Sequence, residues 1–253
     1  MDQLSDDLVI LILSYLGHSQ ILKDLGQVCP RWKKVSRKAT VITRNIFDFY
    51  LQKEYIYLTG LDCSNTYWEN IEINIDSCPN LTLFNCSHNR IKQLPKRGFS
   101  NLTYLNCSNN GMRELPKDLF NLTYLDCSYS NLKTLPKGMT NLTHLDCSYN
   151  FNIRELPSYL TSLTYLNCCC NRLRELPKFF KLTKLLCSHN HLRTLPEGMA
   201  NLTYLNCYYN RTIVHLPSDL TSLTYLSCSY NMIKKLPNFP NLIELKYDPQ
   251  LID

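Results

Sequence analysis

From residue 81 onward the apolar and polar positions of this chain recur in one frame. The stretch Leu102-Thr-Tyr-Leu105-Asn-Cys107-Ser-Asn-Asn110-Gly-Met112-Arg-Glu-Leu115-Pro116 has the form L-x-x-L-x-C-x-x-N-x-L-x-x-L-P. The frame begins again at Leu122, Leu142, Leu163, Leu182, Leu202 and Leu223, and upstream at Leu81, where Phe84 fills the second apolar slot. A weaker copy begins at Leu58 and a truncated one at Leu242, with a mean step of about 20 residues. Alternation of the L-x-C type predicts a short strand in each copy, one side chain inward and the next outward. The chain then turns at the asparagine and returns through L-x-x-L-P. So short a repeat leaves little room for a helix, and extended or 3₁₀ geometry is expected on the return. No copy can bury its apolar face alone; stacked neighbours supply the core.

This period and pattern resemble the leucine-rich repeat. The resemblance implies an α/β leucine-rich-repeat solenoid with a concave parallel β-sheet, over residues 58–253, in about ten repeats of which the last is incomplete. The asparagine slot holds Asn89, Asn110, Asn150, Asn171, Asn190, Asn210 and Asn231, with departures at Thr66, Ser130 and Gln250. A buried asparagine there can bond the backbone of adjacent turns. Two copies carry one extra residue after it, Phe151-Asn-Ile153 and Arg211-Thr-Ile213, and a surface bulge is expected at each.

Repeat phase also fixes which side chains face outward. One expected column runs Tyr104, Tyr124, His144, Tyr165, Lys184, Tyr204 and Tyr225. The next is mostly acidic or amide: Asp62, Asn85, Asn106, Asp126, Asp146, Asn167 and Asn206. A third is mostly serine, and Tyr129, Tyr149, Tyr209 and Tyr230 stand at the strand ends. Rigid aromatics beside adaptable polar groups suit protein recognition; repeat drift, copying a template tyrosine, explains the column equally well. The candidate target-binding set on the concave face is Tyr104, Tyr124, Asp126, His144, Asp146, Tyr165, Lys184, Tyr204 and Tyr225. Arg90, Lys92, Arg113, Lys133, Arg154, Arg172, Arg174 and Arg193 fall just past the strands and should form a basic edge, suited to an acidic or mixed-charge partner.

Before Leu58 the pattern is different. Leu4 to Gly17 reads as a helix that Ser5 can cap, with Asp6 and Asp7 suited to its first turn and Gly17 to its end. A second helix follows Ser19, and a third begins at Cys29-Pro30 with Trp32 and Val35 on one face. Residues 1–40 form this helical module and 41–57 a linker or N-terminal cap. So small a module holds little core alone and needs a partner or a neighbouring domain. A helical cap on the first repeat meets the same need. Leu4, Asp7, Leu8, Ile12, Leu13, Tyr15 and Leu16, then Val28-Cys29-Pro30-Arg31-Trp32, resemble the F-box, with Ser5 where that family has proline. Tyr149 to Leu166 also resembles the FNIP-type repeats found beside F-boxes.

The F-box resemblance implies a substrate-recognition subunit of a Skp–cullin–F-box ubiquitin ligase. Leu4, Ser5, Leu8, Ile12, Leu13, Val28 and Trp32 would then lie at or beneath the Skp adaptor interface, a cullin would be reached through the adaptor, and the repeats would bind an unknown target protein. Ubiquitin transfer would fall to other subunits, so the chain is not expected to be an enzyme. The alternative is a non-catalytic scaffold for protein–protein interaction whose N-terminal helices are only a cap.

Composition narrows the remaining classes. A net charge of +6 from scattered basic residues does not call for nucleic acid. The 7 glycines include no phosphate-cradling motif. No apolar run is long enough to span a bilayer, and the start is a poor signal peptide, so no membrane partner and an intracellular location, cytoplasmic or nuclear, are expected. Of 13 cysteines, Cys63, Cys86, Cys107, Cys127, Cys147, Cys168, Cys187, Cys207 and Cys228 share one inward slot and should form a buried thiol column. Metal-ligand spacing is lacking; Cys86/His88 and Cys187/His189 place cysteine inward and histidine at the strand end. No cofactor is expected. Unpaired thiols point to a reducing compartment. The N-L-T sequons at Asn80, Asn101, Asn121, Asn141 and Asn201 are part of the repeat template, and without export they stay unglycosylated.

Overall fold

A computed structural model of the chain describes residues 41–42, 59–67, 69 and 78–248. The helical module read from residues 1–40, the start of the weak copy at Leu58 and the departure at Gln250 lie outside the described residues. Eleven strands occur among those described: β1 (Val41–Ile42), β2 (Gly60–Asp62), β3 (Leu83–Asn85), β4 (Tyr104–Asn106), β5 (Tyr124–Asp126), β6 (His144–Asp146), β7 (Tyr165–Asn167), β8 (Lys184–Leu186), β9 (Tyr204–Asn206), β10 (Tyr225–Ser227) and β11 (Glu244–Lys246). They form one sheet in chain order, each pair parallel. β1 falls in the stretch assigned to the linker and pairs with β2.

The register is the same at successive steps: Leu105 stands opposite Leu125, Leu125 opposite Leu145, and Leu145 opposite Leu166. Each template position therefore becomes a straight column. The inward column of Leu105, Leu125, Leu145, Leu166, Leu185, Leu205 and Leu226 is buried, as is the cysteine column one step inside it. On the return, Met112, Leu132, Ile153, Leu173, Leu192 and Ile213 close the core from the other side. A further apolar slot three residues before the first leucine of the next copy holds Phe99, Leu119, Met139, Leu160, Phe179, Met199 and Leu220, all buried. The L-x-x-L-P frame had not included it. The return segments between residues 78 and 248 run through turns, bends and extended chain without a helix. Burying one leucine of such a column is worth about 1.5–3 kcal/mol.

The asparagine slot joins the turns. Nδ2 of Asn110 donates to the carbonyl of Cys86 in the preceding repeat at 3.0 Å, and to those of Cys107 and Ser108 in its own. Its Oδ1 accepts the backbone N–H of Ile91 at 3.0 Å. Asn150, Asn190 and Asn210 repeat this two-way bridge, accepting from Leu132, Leu173 and Leu192. The two copies with an extra residue break it. Ile153 N–H turns to the carbonyl of Asn150 within its own loop, and the buried Oδ1 of Asn171 in the next repeat has no partner. Asn231, which follows the second bulged copy, is left in the same state. Ser130 is too short to bridge at all, and its buried hydroxyl is unpartnered.

The sequon asparagines have a structural role on the opposite flank. Nδ2 of Asn101, Asn121 and Asn201 donates to a carbonyl one repeat back, at Pro79, Ser100 and Phe180. Thr103 and Thr123, which complete their sequons, send Oγ1 to the threonine carbonyl of the preceding repeat. Glycine is required at Gly138 and Gly198, where φ is +92° and +95° and an added Cβ would lie 2.7 Å from Cδ1 of Phe120 or Cε1 of Phe180.

Candidate functional site

The outward face of the sheet carries a nearly unbroken row of stacked rings. Tyr104 and Tyr124 lie 4.5 Å apart and nearly coplanar in orientation. Tyr124 to His144 is 6.2 Å, and His144 to Tyr165 is 5.8 Å. Lys184 then stands between two rings, its Nζ 5.7 Å from the Tyr165 centroid and 4.7 Å from that of Tyr204. Tyr204 stacks on Tyr225 at 4.2 Å, and Lys246 closes the row over Tyr225 at 5.4 Å. Parallel strands at sheet spacing force this arrangement, because flat rings at one register can only lie face to face. The stacked faces cover one another. Burial among neighbours, with Tyr104 and the carboxylates of Asp126 and Asp146 nearby, pushes the Tyr124 phenol up to about 12. Burial likewise raises Tyr165. These hydroxyls are neutral at pH 7 and both donate and accept.

The acidic and amide column beside it is half structural. Asp126 and Asp146 each accept, through Oδ1, the backbone N–H and the hydroxyl of the serine two residues on. Asp146 Oδ2 also accepts from Asn167 Nδ2 at 2.8 Å. Burial raises Asp146 above the ordinary carboxylate range, against the opposing pull of those hydrogen bonds. The serine column was expected to face outward, and here the structure corrects the reading. Ser87, Ser108, Ser128, Ser148 and Ser188 are buried. The backbone turns past the strand, and the hydroxyls of Ser108, Ser128 and Ser148 fold back onto the carboxylate or amide before them.

All nine candidate target-binding residues thus lie together on the sheet, Tyr104, Tyr124, His144, Tyr165, Lys184, Tyr204 and Tyr225 in the ring row and Asp126 and Asp146 beside it. The candidate adaptor residues Leu4, Ser5, Leu8, Ile12, Leu13, Val28 and Trp32 lie outside the described residues.

A second aromatic feature follows the strands. The residue before each asparagine is left-handed in every copy: His88, Asn109, Tyr129, Tyr149, Cys170, His189, Tyr209 and Tyr230 all have φ between 50° and 56°. Asparagine and histidine tolerate that region; tyrosine is strained there. The side chains are driven outward and gather in two groups. Tyr129 stacks on Tyr149 at 4.1 Å, with Phe151 edge-on at 6.3 Å. His189, Tyr208, Tyr209 and Tyr230 form the other, with the Arg211 guanidinium 4.3 Å over Tyr209. Phe151 and Arg211 belong to the two expected surface bulges, though their contacts with the tyrosines were not foreseen; Tyr208 was missed, and the tyrosine in place of serine was the available signal.

The thiols split into two kinds. The column cysteines are buried, and burial raises the pKa well above the ordinary thiol value at Cys107, Cys127, Cys147, Cys168, Cys187 and Cys207. Thiols held neutral in this way are poor nucleophiles. Cys169 and Cys170, which replace serine and the left-handed tyrosine, are half-exposed. Cys86 and Cys187 point inward while His88 and His189 are exposed. Among the described residues no group of three or more side chains could hold a metal ion, and no helix is long and apolar enough to cross a membrane.

Comparison with known proteins agrees with this architecture. A family model described as Leucine Rich Repeat matches residues 101–122. The functional domain of InlJ from Listeria monocytogenes, described as including a cysteine ladder, is 26% identical at a TM-score of 0.71, over 83% of this chain and 52% of that one. YopM from Yersinia enterocolitica is 29% identical at a TM-score of 0.59, over 76% of this chain and 51% of that one. A chain of the Drosophila Toll–Spatzle complex shares the fold at 20% identity, TM-score 0.61, over 89% of this chain and 36% of that one. This chain spans about half the length of the first two. Among curated proteins none matches it in sequence. Repeat, register and relatives define a leucine-rich-repeat protein. Its own core carries a column of cysteines, the feature for which the InlJ domain is described.

Proposed function

We propose that this chain is the target-recognition subunit of a Skp–cullin–F-box ubiquitin ligase. The reading is carried by one conjunction: an F-box-like motif in residues 2–40 directly ahead of a solenoid whose sheet presents an ordered aromatic surface. Leu4, Ser5, Leu8, Ile12, Leu13, Val28 and Trp32 dock the Skp adaptor, with Trp32 as an aromatic anchor. The ring row, Asp126 and Asp146 hold a protein target, and the cullin is reached through the adaptor. The chain itself takes no covalent step. Unpaired thiols throughout the column support work in a reducing compartment, cytoplasmic or nuclear.

A second reading, a protein–protein interaction scaffold with a helical cap, draws on the position of β1. Residues 1–40 run directly into the first described strand of the sheet, where a repeat array needs shielding.

Binding of the purified chain to a purified Skp adaptor separates the two, measured beside a Leu8→Asp/Trp32→Ala double variant with circular dichroism of both. Tight binding that the double variant loses, with the repeats still folded, supports the ligase subunit. An intact solenoid that does not bind the adaptor leaves the scaffold.

A further inference from the structure

The edge beyond the asparagine ladder is cationic at one fixed position. Lys92, Arg113, Lys133, Arg154, Arg174 and Arg193 each follow the first apolar residue of the return, in six successive repeats, and all are exposed. None of the six forms an ion pair among the described residues. Like charges in a row repel, so the fold gains nothing from them.

At one place this edge is also hollow. In the slot directly after the asparagine ladder position, regular repeats carry Arg90, Asn131, Arg172, His191 or Met232; the third repeat carries Gly111. The backbone does not ask for glycine there. Its φ is not left-handed, and an added Cβ would meet only Ile91 O at 3.7 Å and Lys92 Cγ at 3.9 Å, ordinary contacts. Gly111 lies in the lining of an open hollow of about 750 Å³, walled by Arg90, Lys92, Arg113 and Asn131. A second hollow of about 370 Å³ shares Arg113 and Asn131 and extends to Lys133. The two make one trough across successive repeats. Arg90 is partly engaged by Glu69 at 3.7 Å; Lys92, Arg113 and Lys133 are not.

We propose that the trough beside Gly111 receives an acidic peptide segment, its carboxylates paired with Lys92, Arg113 and Lys133 and its backbone with the Asn131 amide. The arginine fork suits a carboxylate. A peptide fits better than a nucleic-acid strand for two reasons. Glu114, Glu155 and Glu175 stand one residue past Arg113, Arg154 and Arg174, so the edge alternates in sign and suits carboxylates spaced along a peptide rather than a phosphate at every step. The nearest aromatic pair, Tyr129 and Tyr149, is stacked on itself and offers few open faces for bases. The site uses none of the candidate adaptor residues and none of the ring row, so it can hold or fail independently of the ligase reading.

The test is fluorescence anisotropy of the full chain with a fluorescein-labelled glutamate-rich peptide, at low and raised salt. Saturable binding that weakens with salt is expected. Arg113→Glu should weaken it about tenfold. Gly111→Leu, which places a side chain in the hollow without changing the charge, should weaken it by a similar factor while thermal unfolding stays unchanged. Arg193→Glu, outside the trough, should change it less than about twofold. Absence of binding overturns the proposal. So does a Gly111→Leu variant that binds as wild type, an Arg193→Glu loss equal to that of Arg113→Glu, or tighter binding of oligothymidylate than of the peptide.

Discussion

The inward and outward columns of this solenoid are built from the same three-residue strands, yet they obey different rules. Inward, Leu105 through Leu226 varies only in its neighbours, and every member is buried. Outward, the row one residue earlier admits tyrosine, histidine and lysine in turn. Close packing tolerates almost no change of volume. A half-exposed stack needs only something flat or cationic at each step. Uniformity therefore reports on the core, and departures such as His144 and Lys184 report on what the surface has been free to become.

The comparison breaks first if an inward position proves tolerant. Leu145, buried between Leu125 and Leu166, should cost about 2–5 kcal/mol on Leu145→Ala. Tyr204→Ala, at a half-exposed outward position, should cost about 1 kcal/mol or less. Equilibrium denaturation in urea measures both; equal losses would mean that the row of rings belongs to the core.

The asparagine ladder offers a sharper contrast, because its members differ in how many bonds they complete. Asn190 donates to Cys168, Cys187 and Ser188 and accepts from Leu173. Asn171 donates equally but its Oδ1 is orphaned. Asn190→Ala should cost about 3 kcal/mol, and Asn171→Ala about 1 kcal/mol less. Equal losses in the same denaturation experiment would show that the bulged loop satisfies Asn171 by another route, such as an ordered water.

How far the sequence carried this picture follows from the same physics. The strands, the buried thiols and the alignment of Asn89 through Asn231 were legible because an apolar or amide requirement repeats at fixed spacing. The extra residue at Phe151 and Arg211 was legible as a bulge. Its consequence one repeat later, at Asn171 and Asn231, was not, since a broken bridge lies between copies. The serine column was misplaced because two-residue alternation holds only while the chain stays extended. Past Asp146 the backbone turns, and Ser148 follows it inward. The Gly111 hollow was invisible for a related reason: its walls come from adjacent turns.

Ser130 allows the ladder to be repaired. Its neighbours keep the regular backbone, with Asn131 N–H bonded to Met112 O as Gly111 N–H is to Ile91 O. Ser130→Asn should supply donors to Cys107 O and Cys127 O and an acceptor for Met112 N–H. A gain of about 1 kcal/mol is expected. A loss on the same scale would mean that the slot between Asn110 and Asn150 is too narrow for the carboxamide.

The smallest effect concerns Asp146, where an outward column has sunk partly into the protein. Burial raises its carboxyl above the ordinary value, so the fold binds that proton more tightly than the unfolded chain does. The sign follows from linkage: at neutral pH the buried charge subtracts from stability, and the loss is recovered as pH falls through the folded value. Asp146→Asn, which places there the residue that Asn106, Asn167 and Asn206 already use in this column, removes that dependence. Its melting temperature should be at or slightly above wild type at pH ~7, by the equivalent of about 0.5 kcal/mol, and the two should converge toward pH ~4. A variant that is less stable at neutral pH and falls no further on acidification would show the opposite balance. The bonds from Ser148 and Asn167 to the charged carboxylate would then outweigh its burial, and Asp146 would belong with the ladder as a structural group.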